Sequence, residues 1–355
     1  MWKVFDRTDT VSVKEYDAFV YSHNEGHFLQ MSSWASVKTF WRWCGISVYR
    51  NSNMIAAMGV LIRPLPLGFS LLYAPRGPIC NRDEPAVWEE LMEGCRHLAV
   101  REHALLLHLD PDEPDSNLAF KAILRRLGFE EKADEGFGNI QPQFVFRLSL
   151  KDRSEDALLQ SFSSKTRYNI GLACRKGVSV AAYSGEDPLP EAVLESFYSL
   201  MQITGQRDHF YIRSLSYFHG LMESLGKDAQ LLLAYYNGEP IAGSIEVFTG
   251  TRAWYLYGAS SNEHRSVMPN YLLQWQMIRQ AKARGCRMYD FRGVPGNVTQ
   301  EHPLYGLYRF KRGFSGTHTK FSGLFTYKFR PLLCRILEFA LWLRRKLRGQ
   351  TRRNS

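Results

Sequence analysis

No two cysteines in this chain have the spacing of a redox dithiol or a zinc site. The six, Cys44, Cys80, Cys95, Cys174, Cys286 and Cys334, are scattered, with no Cys-x-x-Cys and no histidine partner at ligand distance. That excludes a zinc module and a disulfide-stapled scaffold, and reduced thiols are expected. Met1 to Thr10 carries Lys3, Asp6, Arg7 and Asp9 where a secretory leader needs an apolar core. The most apolar late segment, Leu332 to Leu343, is broken by Arg335 and Glu338 and falls short of the ~20 residues that cross a bilayer. A cytoplasmic location is therefore expected. Also missing are the Gly-x-Ser-x-Gly elbow, His-Glu-x-x-His, a P-loop lysine and the dinucleotide fingerprint. Isolated histidines such as His97, His103, His108 and His209 stay outside the mechanism. Neither a metal nor a bound cofactor is expected.

What is present bounds the answer from the other side. With 355 residues, 45% of them hydrophobic, the chain can bury sizeable cores, and its length favours two domains. Most of the net charge of +10 sits near the end. From Lys328 to Arg353 nine cations face one acid, Glu338. Leu332, Leu333, Ile336, Leu337, Ala340, Leu341, Leu343 and Leu347 recur at helical spacing, so residues 331–355 read as a basic amphipathic helix with a frayed end. Such a tail suits docking and an anionic membrane surface, and RNA phosphates are compatible with it. A peripheral position on the inner face of the cell membrane follows as an expectation.

Internal self-similarity organises the remainder. Ile46 to Arg50, a turn at Asn51-Ser52-Asn53 and Ile55 to Val60 form a hairpin pattern. Gln230 to Tyr236, a turn at Asn237-Gly238 and Ile241 to Val247 repeat it. Each is followed by an aromatic strand (Ser70 to Tyr73; Ala253 to Gly258), a helix (Glu84 to Glu102; Asn270 to Arg284) and a buried strand (Ala104 to Leu109; Cys286 to Phe291). The predicted fold is mixed α/β, a tandem duplication of an N-acetyltransferase-like unit, with domains at 1–150 and 151–330 and a tail at 331–355. A coenzyme A enzyme would carry a Gly-rich loop before the helix, its backbone N–H groups facing a pyrophosphate. Here the stretches are Arg265-Ser266-Val267-Met268-Pro269-Asn270 and Asn81-Arg82-Asp83-Glu84-Pro85, with no glycine in either.

The most informative segment is Tyr289-Asp290-Phe291-Arg292-Gly293-Val294, followed by Gly306-Leu307-Tyr308-Arg309-Phe310-Lys311-Arg312-Gly313-Phe314. Charged groups at the end of a core strand, then cations beside aromatics, suggest an anionic ligand with flat or apolar parts. An ordinary strand with a solvated basic turn is the bland alternative.

Further stretches join these: Phe28-Leu29-Gln30-Met31-Ser32-Ser33-Trp34, Tyr73-Ala74-Pro75-Arg76-Gly77-Pro78, Ser164-Lys165-Thr166-Arg167-Tyr168-Asn169 and Gly205-Gln206-Arg207-Asp208-His209-Phe210-Tyr211. As a set the chain resembles the Fem family of non-ribosomal aminoacyltransferases. The resemblance implies two acetyltransferase-like domains and transfer of an amino acid from aminoacyl-tRNA, as co-substrate, to an amine of a lipid-linked or UDP-linked peptidoglycan stem peptide. Leu189 to Lys227 is too short and too aromatic for the coiled-coil arm some members carry.

By the same resemblance Lys311 matches the family's catalytic lysine, which would stabilise the developing oxyanion or the departing ribose oxygen. Lys38 and Arg207 match the cations on the precursor's pyrophosphate, and Tyr211 and Tyr257 the tyrosines of its groove. Tyr73, Arg76, Arg292 and Phe310 complete the implied substrate contacts, although Arg76 could equally serve the turn. Two departures stand out. Asn81 occupies the position of an acidic residue thought to handle the amine's proton, with Asp83 nearby, and Arg292 stands where a glycine is common. An amide is no general base, so a coenzyme A-dependent N-acyltransferase and a catalytically silent tRNA- or membrane-binding protein remain the alternatives.

Overall fold

The computed structural model describes residues 1–132, 140–296, 298–337 and 339. It divides into two units, one of Met1–Phe19, Thr39–Ala133 and Ser322–Ser355, the other of Val20–Lys38 and Asp134–Phe321.

The first unit begins with β1 (Trp2–Asp6), and the chain then passes through α1 (Thr10–Ser22) and α2 (Ser32–Val37) before β2 (Arg42–Arg50) pairs antiparallel with β1. Asn51 and Ser52, at φ 49° and 66°, turn β2 into β3 (Asn53–Pro64). Two consecutive left-handed residues give the hairpin twist that matches its strands. β4 (Ser70–Arg76) and the short β5 (Ile79–Cys80) follow. Next, α3 (Pro85–Arg101) opens on proline, where a lost N–H costs nothing, and buries Val87, Trp88, Leu91, Cys95 and Leu98 on the sheet. β6 (Ala104–Pro111) returns parallel to β4, and α4 (Leu118–Arg126) and β7 (Glu130–Lys132) complete the forward course. Trp88 and Phe120 are fully buried at its centre, each contributing about 1.5–3 kcal/mol.

The second unit repeats the order. Its strands are β8 (Phe144–Ser149), β9 (Ser179–Ser184), β10 (Ala229–Tyr236), β11 (Glu239–Thr249), β12 (Arg252–Ser260), β13 (Met288–Val294) and β14 (Thr317–Lys320), ordered β14-β8-β13-β12-β11-β10-β9. Its helices are α5 (Glu155–Ser161), α6 (Ser164–Arg175), α7 (Glu191–Asp208), α8 (Leu215–Leu225), α9 (Pro269–Ala283) and α10 (Tyr305–Arg312). The β10–β11 turn uses Asn237 and Gly238 at positive φ, and 237 − 51 places it 186 residues after its counterpart. Phe162, Trp275, Phe291 and Phe314 fill one side of the sheet, and Phe197, Phe218 and Trp254 the other. α7 and α8 occupy the place of an arm; at 18 and 11 residues neither forms one.

The repeat and the tandem acetyltransferase-like fold agree with the sequence, but the boundaries fall elsewhere. Residues 20–38 belong with the second unit, where Phe28 packs on Trp254 at 5.0 Å. β8 precedes the expected division at 150 yet pairs with β13. β15 (Leu324–Lys328) precedes the expected end at 330 yet inserts between β6 and β7 of the first sheet. Strands recruited from far along the chain leave no local mark of which sheet they join. Of the expected tail, 331–337 is helical, whereas 341–355 lies outside the described residues. All six cysteines are free, and only Cys174 is exposed. Among the described residues no helix is long and apolar enough to cross a membrane.

Candidate active site

In the second unit β12 and β13 run parallel but pair only at Arg252↔Met288, Ala253↔Tyr289 and Trp254↔Asp290. Beyond Trp254 the two strands part. Asp290 causes the parting: its Oδ1 accepts the Arg292 N–H at 2.6 Å, an Asx turn that holds Arg292 at φ 59° and breaks the register with β8. The other oxygen of Asp290 accepts Arg147 Nε at 2.9 Å, so the buried carboxylate keeps a counter-ion. The matching strands of the first unit, β4 and β6, stay paired from Ser70↔Ala104 to Arg76↔Pro111. A wedge of this kind therefore opens in the second sheet and stays closed in the first.

Lys311, on α10, fills the wedge. It is 4% exposed, its Nζ donates to the Gly293 carbonyl at 2.9 Å, and it stands 5.4 Å from the centre of the Tyr255 ring. Burial pushes its pKa from 10.5 down to about 7; Asp290 pulls it up and Arg292 depresses it further. Tyr255 lies back along its own strand over Gly258, where an added Cβ would come within 1.7 Å of its hydroxyl. Glycine at 258 is what lets Tyr255 form this floor. Its phenol, pushed up to about 12 by burial, keeps its proton at neutral pH.

Beside the wedge lies a positive cup. Lys38 caps α2, 4.8 Å from the Trp34 ring and 5.9 Å from the Tyr217 ring. Trp34 meets Phe28 edge-on at 5.2 Å, which anchors the segment carrying the lysine. Burial first, then Arg213 and Arg292, lower Lys38 to about 8. Arg213 lies over Tyr217 at 5.4 Å, and Arg292 over Phe28 at 5.8 Å while donating to Gln141 at 2.9 Å. The hydroxyls of Tyr217 and Tyr257 sit 3.1 Å apart among these cations, and burial raises Tyr217 well above the ordinary phenol range. Among the described residues neither Lys38 nor Arg213 forms an ion pair. Cations this close repel one another until an anion joins them.

Of the residues expected from sequence, Lys38, Tyr257, Arg292 and Lys311 are brought together here. Arg207 ends α7 and donates to Ser260 O (3.1 Å) and Asn262 Oδ1 (3.0 Å) while pairing with Asp208 at 3.0 Å, so it ties the helix to the end of β12. The cations that act on Lys38 are Arg213 and Arg292. Tyr211 is 87% exposed in the loop after α7. Phe310 packs on Tyr271 at 5.0 Å and Phe314 at 5.3 Å, so it seats α10 and thereby Lys311.

Tyr73 and Arg76 belong to the first unit. The Tyr73 hydroxyl donates to Asp110 Oδ2 at 2.6 Å and the Arg76 N–H to Asp110 Oδ1 at 2.9 Å, with Arg76 buried at φ 58° before the cis Gly77–Pro78 bond. Asn81 is exposed and donates to Glu84 at 2.6 Å, and Asp83 accepts from Asn117 at 3.4 Å. The buried carboxylate beside Arg76 is therefore Asp110. Sequence reasoning missed Arg213, Tyr217, Tyr255 and Asp290 in the site, and Asp110 in the first unit. The repeat held a clue to the acids, since Asp110 ends β6 as Asp290 lies on β13, its counterpart.

Two sheets of one strand order, the second parted around a buried lysine, define a tandem acetyltransferase-like protein. A solved tandem GNAT protein from the clavulanic acid biosynthesis pathway shares this architecture at a TM-score of 0.54, with 11% identity, over 92% of this chain and 98% of that one, a likeness of fold alone. The FemAB family model matches residues 11–239 and 235–341, and the chain belongs to the FemAB family. It is 27% identical to the lipid II:glycine glycyltransferase of Staphylococcus haemolyticus, over 92% of this chain and 94% of that protein. A crystal structure of FemX superposes at a TM-score of 0.85 with 27% identity, over 92% of this chain and 98% of that one.

Proposed function

We propose that the chain is an aminoacyltransferase of peptidoglycan synthesis that moves an amino acid from aminoacyl-tRNA to a stem-peptide amine of a lipid-linked precursor. The observation that carries this is Lys311, an amine buried in the wedge with a pKa of about 7, next to the cup of Lys38, Arg213 and Arg292. Family membership and the glycyltransferase relative support the acceptor class.

The ester of an aminoacyl-tRNA is already activated, so no enzyme nucleophile is required. The acceptor amine, having lost its proton, attacks the ester carbonyl. A C–N bond forms, the tetrahedral adduct collapses, and the C–O bond to the ribose breaks. In this reading Lys311 in its ammonium form steadies the oxyanion and hands a proton to the departing ribose oxygen; the proton shed by nitrogen restores it. Phosphates of the precursor fit the cup, where Lys38 and Arg213 form no ion pair among the described residues. Pro269 at the start of α9 removes a backbone donor that a coenzyme A pyrophosphate would use, which favours the tRNA donor.

Incubation with charged tRNA and lipid-linked muramyl peptide should increase the stem-peptide mass by one or more aminoacyl residues. No increase with any amino acid, under conditions where the folded protein binds the precursor, would refute the reading.

A further inference from the structure

Among the described residues, an apolar face of the first unit is left uncovered. Residues 331–337 form a helix whose Leu333, Cys334 and Leu337 pack against Leu105, Leu106 and the flanks of the β3–β4 hairpin, which fixes its rotation. Leu332 and Ile336, one helical turn apart, consequently face outward, 74% and 64% exposed, and Phe339 is exposed as well. At the tip of that hairpin stands Leu67, 93% exposed and held at φ 61°, a conformation that glycine or asparagine adopts at lower cost. Its neighbours Leu65 and Phe69 pack with the same helix, so the hairpin that carries the tip lies beside the helix whose outer ridge is Leu332 and Ile336.

Charge identifies the occupant. Arg335 is exposed on the helix, and the Arg330 guanidinium lies 5.7 Å from the Phe69 ring. The sequence then runs from 341 to 355 with Arg344, Arg345, Lys346, Arg348, Arg352 and Arg353 and no acid. An RNA would take these cations but leave the leucines in water. A bilayer with anionic headgroups takes both, the ridge at the acyl boundary and the cations at the phosphates. We propose that Leu332, Ile336 and Leu67, with the basic C-terminal run, seat the chain on an anionic membrane surface. This seat is independent of whether the transfer reading holds.

The test is co-sedimentation of the full chain with vesicles of phosphatidylcholine containing about one third phosphatidylglycerol, against phosphatidylcholine alone. The unaltered chain is expected to partition onto the anionic vesicles, and the double variant Leu332→Ser, Ile336→Ser to lose about tenfold or more of that partition with an unchanged Tm, since both sites are exposed. Leu67→Ser, on a separate element, should weaken it independently. Unchanged partitioning of both variants would overturn the proposal. So would salt-sensitive binding of tRNA by a chain that ignores the vesicles.

Discussion

Replacing Lys311 with methionine should make the protein more stable and nearly inactive. In the fold this amine has lost proton affinity, from 10.5 to about 7, chiefly through burial. At about 1.4 kcal/mol per tenfold change, the charged form is disfavoured by roughly 5 kcal/mol relative to the unfolded chain. Methionine of similar length carries no such penalty but forfeits the hydrogen bond to Gly293, which takes back about 1–3 kcal/mol. Asp290 keeps its bond to Arg147, so no carboxylate is orphaned. The net expectation at neutral pH is about 2–4 kcal/mol of added stability, each kcal/mol raising Tm by about 2–4 °C in a domain of this size. Transfer should fall about 10²–10³-fold.

The pH dependence supplies the sign. Between about 7 and 10.5 the unfolded chain binds a proton that the folded chain does not, so the unaltered protein gains stability as pH rises through that window. The advantage of Lys311→Met should accordingly be largest below pH 7 and shrink towards pH 10. Differential scanning calorimetry of both proteins at those two pH values checks it. A variant that melts lower than the parent at pH 7, or a difference that does not change with pH, would refute the buried-amine account.

Gly258→Ala should push Tyr255 off its strand, because the new Cβ would sit 1.7 Å from the phenol oxygen; about 1–3 kcal/mol of destabilisation and a drop in kcat are expected, and unaltered kinetics would count against Tyr255 as the floor of the wedge. Arg292→Gly removes a cation that lowers both Lys38 and Lys311, so the alkaline limb of the pH–rate profile should move to higher pH; a stationary limb would show that Arg292 does not tune either amine. His108, held at about 4 by burial while bonded to Thr326, should cost the first unit stability as pH falls from 6.5 towards 4. Urea titrations of His108→Gln at pH 7 and 4.5 should show that loss reduced, and an equal loss in both proteins would assign it to other groups.

The fold was legible where local chemistry repeats. Asn51-Ser52 and Asn237-Gly238 mark turns that need left-handed residues, and the helices after β4 and β12 show their apolar period directly. The fates of residues 20–38, β8 and β15 were not legible, because each joins a unit whose other elements lie far off in sequence. In the site, the resemblance named Lys311 and Lys38 and a departure from its pattern named Arg292, but neither could anticipate that Arg213 and Tyr217 would be carried alongside by the loop before α8 and that helix itself. Tyr211 and Phe310 show the opposite limit: aromatic identity alone does not say that one ring stands 87% exposed in a loop while the other packs half-buried on Phe314.

The interleaving of the two units bears on how the chain is made. β15 closes the first sheet between β6 and β7, so that sheet cannot be completed until the polypeptide has emerged from the ribosome past Lys328. The second unit needs nothing beyond Phe321 and is in a position to finish first, even though most of it is synthesised later. A nascent chain stalled shortly before Leu324 would thus present an open β6 edge to solvent, the kind of bare strand that invites chaperones or aggregation. Truncation from the C-terminus should injure the N-terminal half of the molecule.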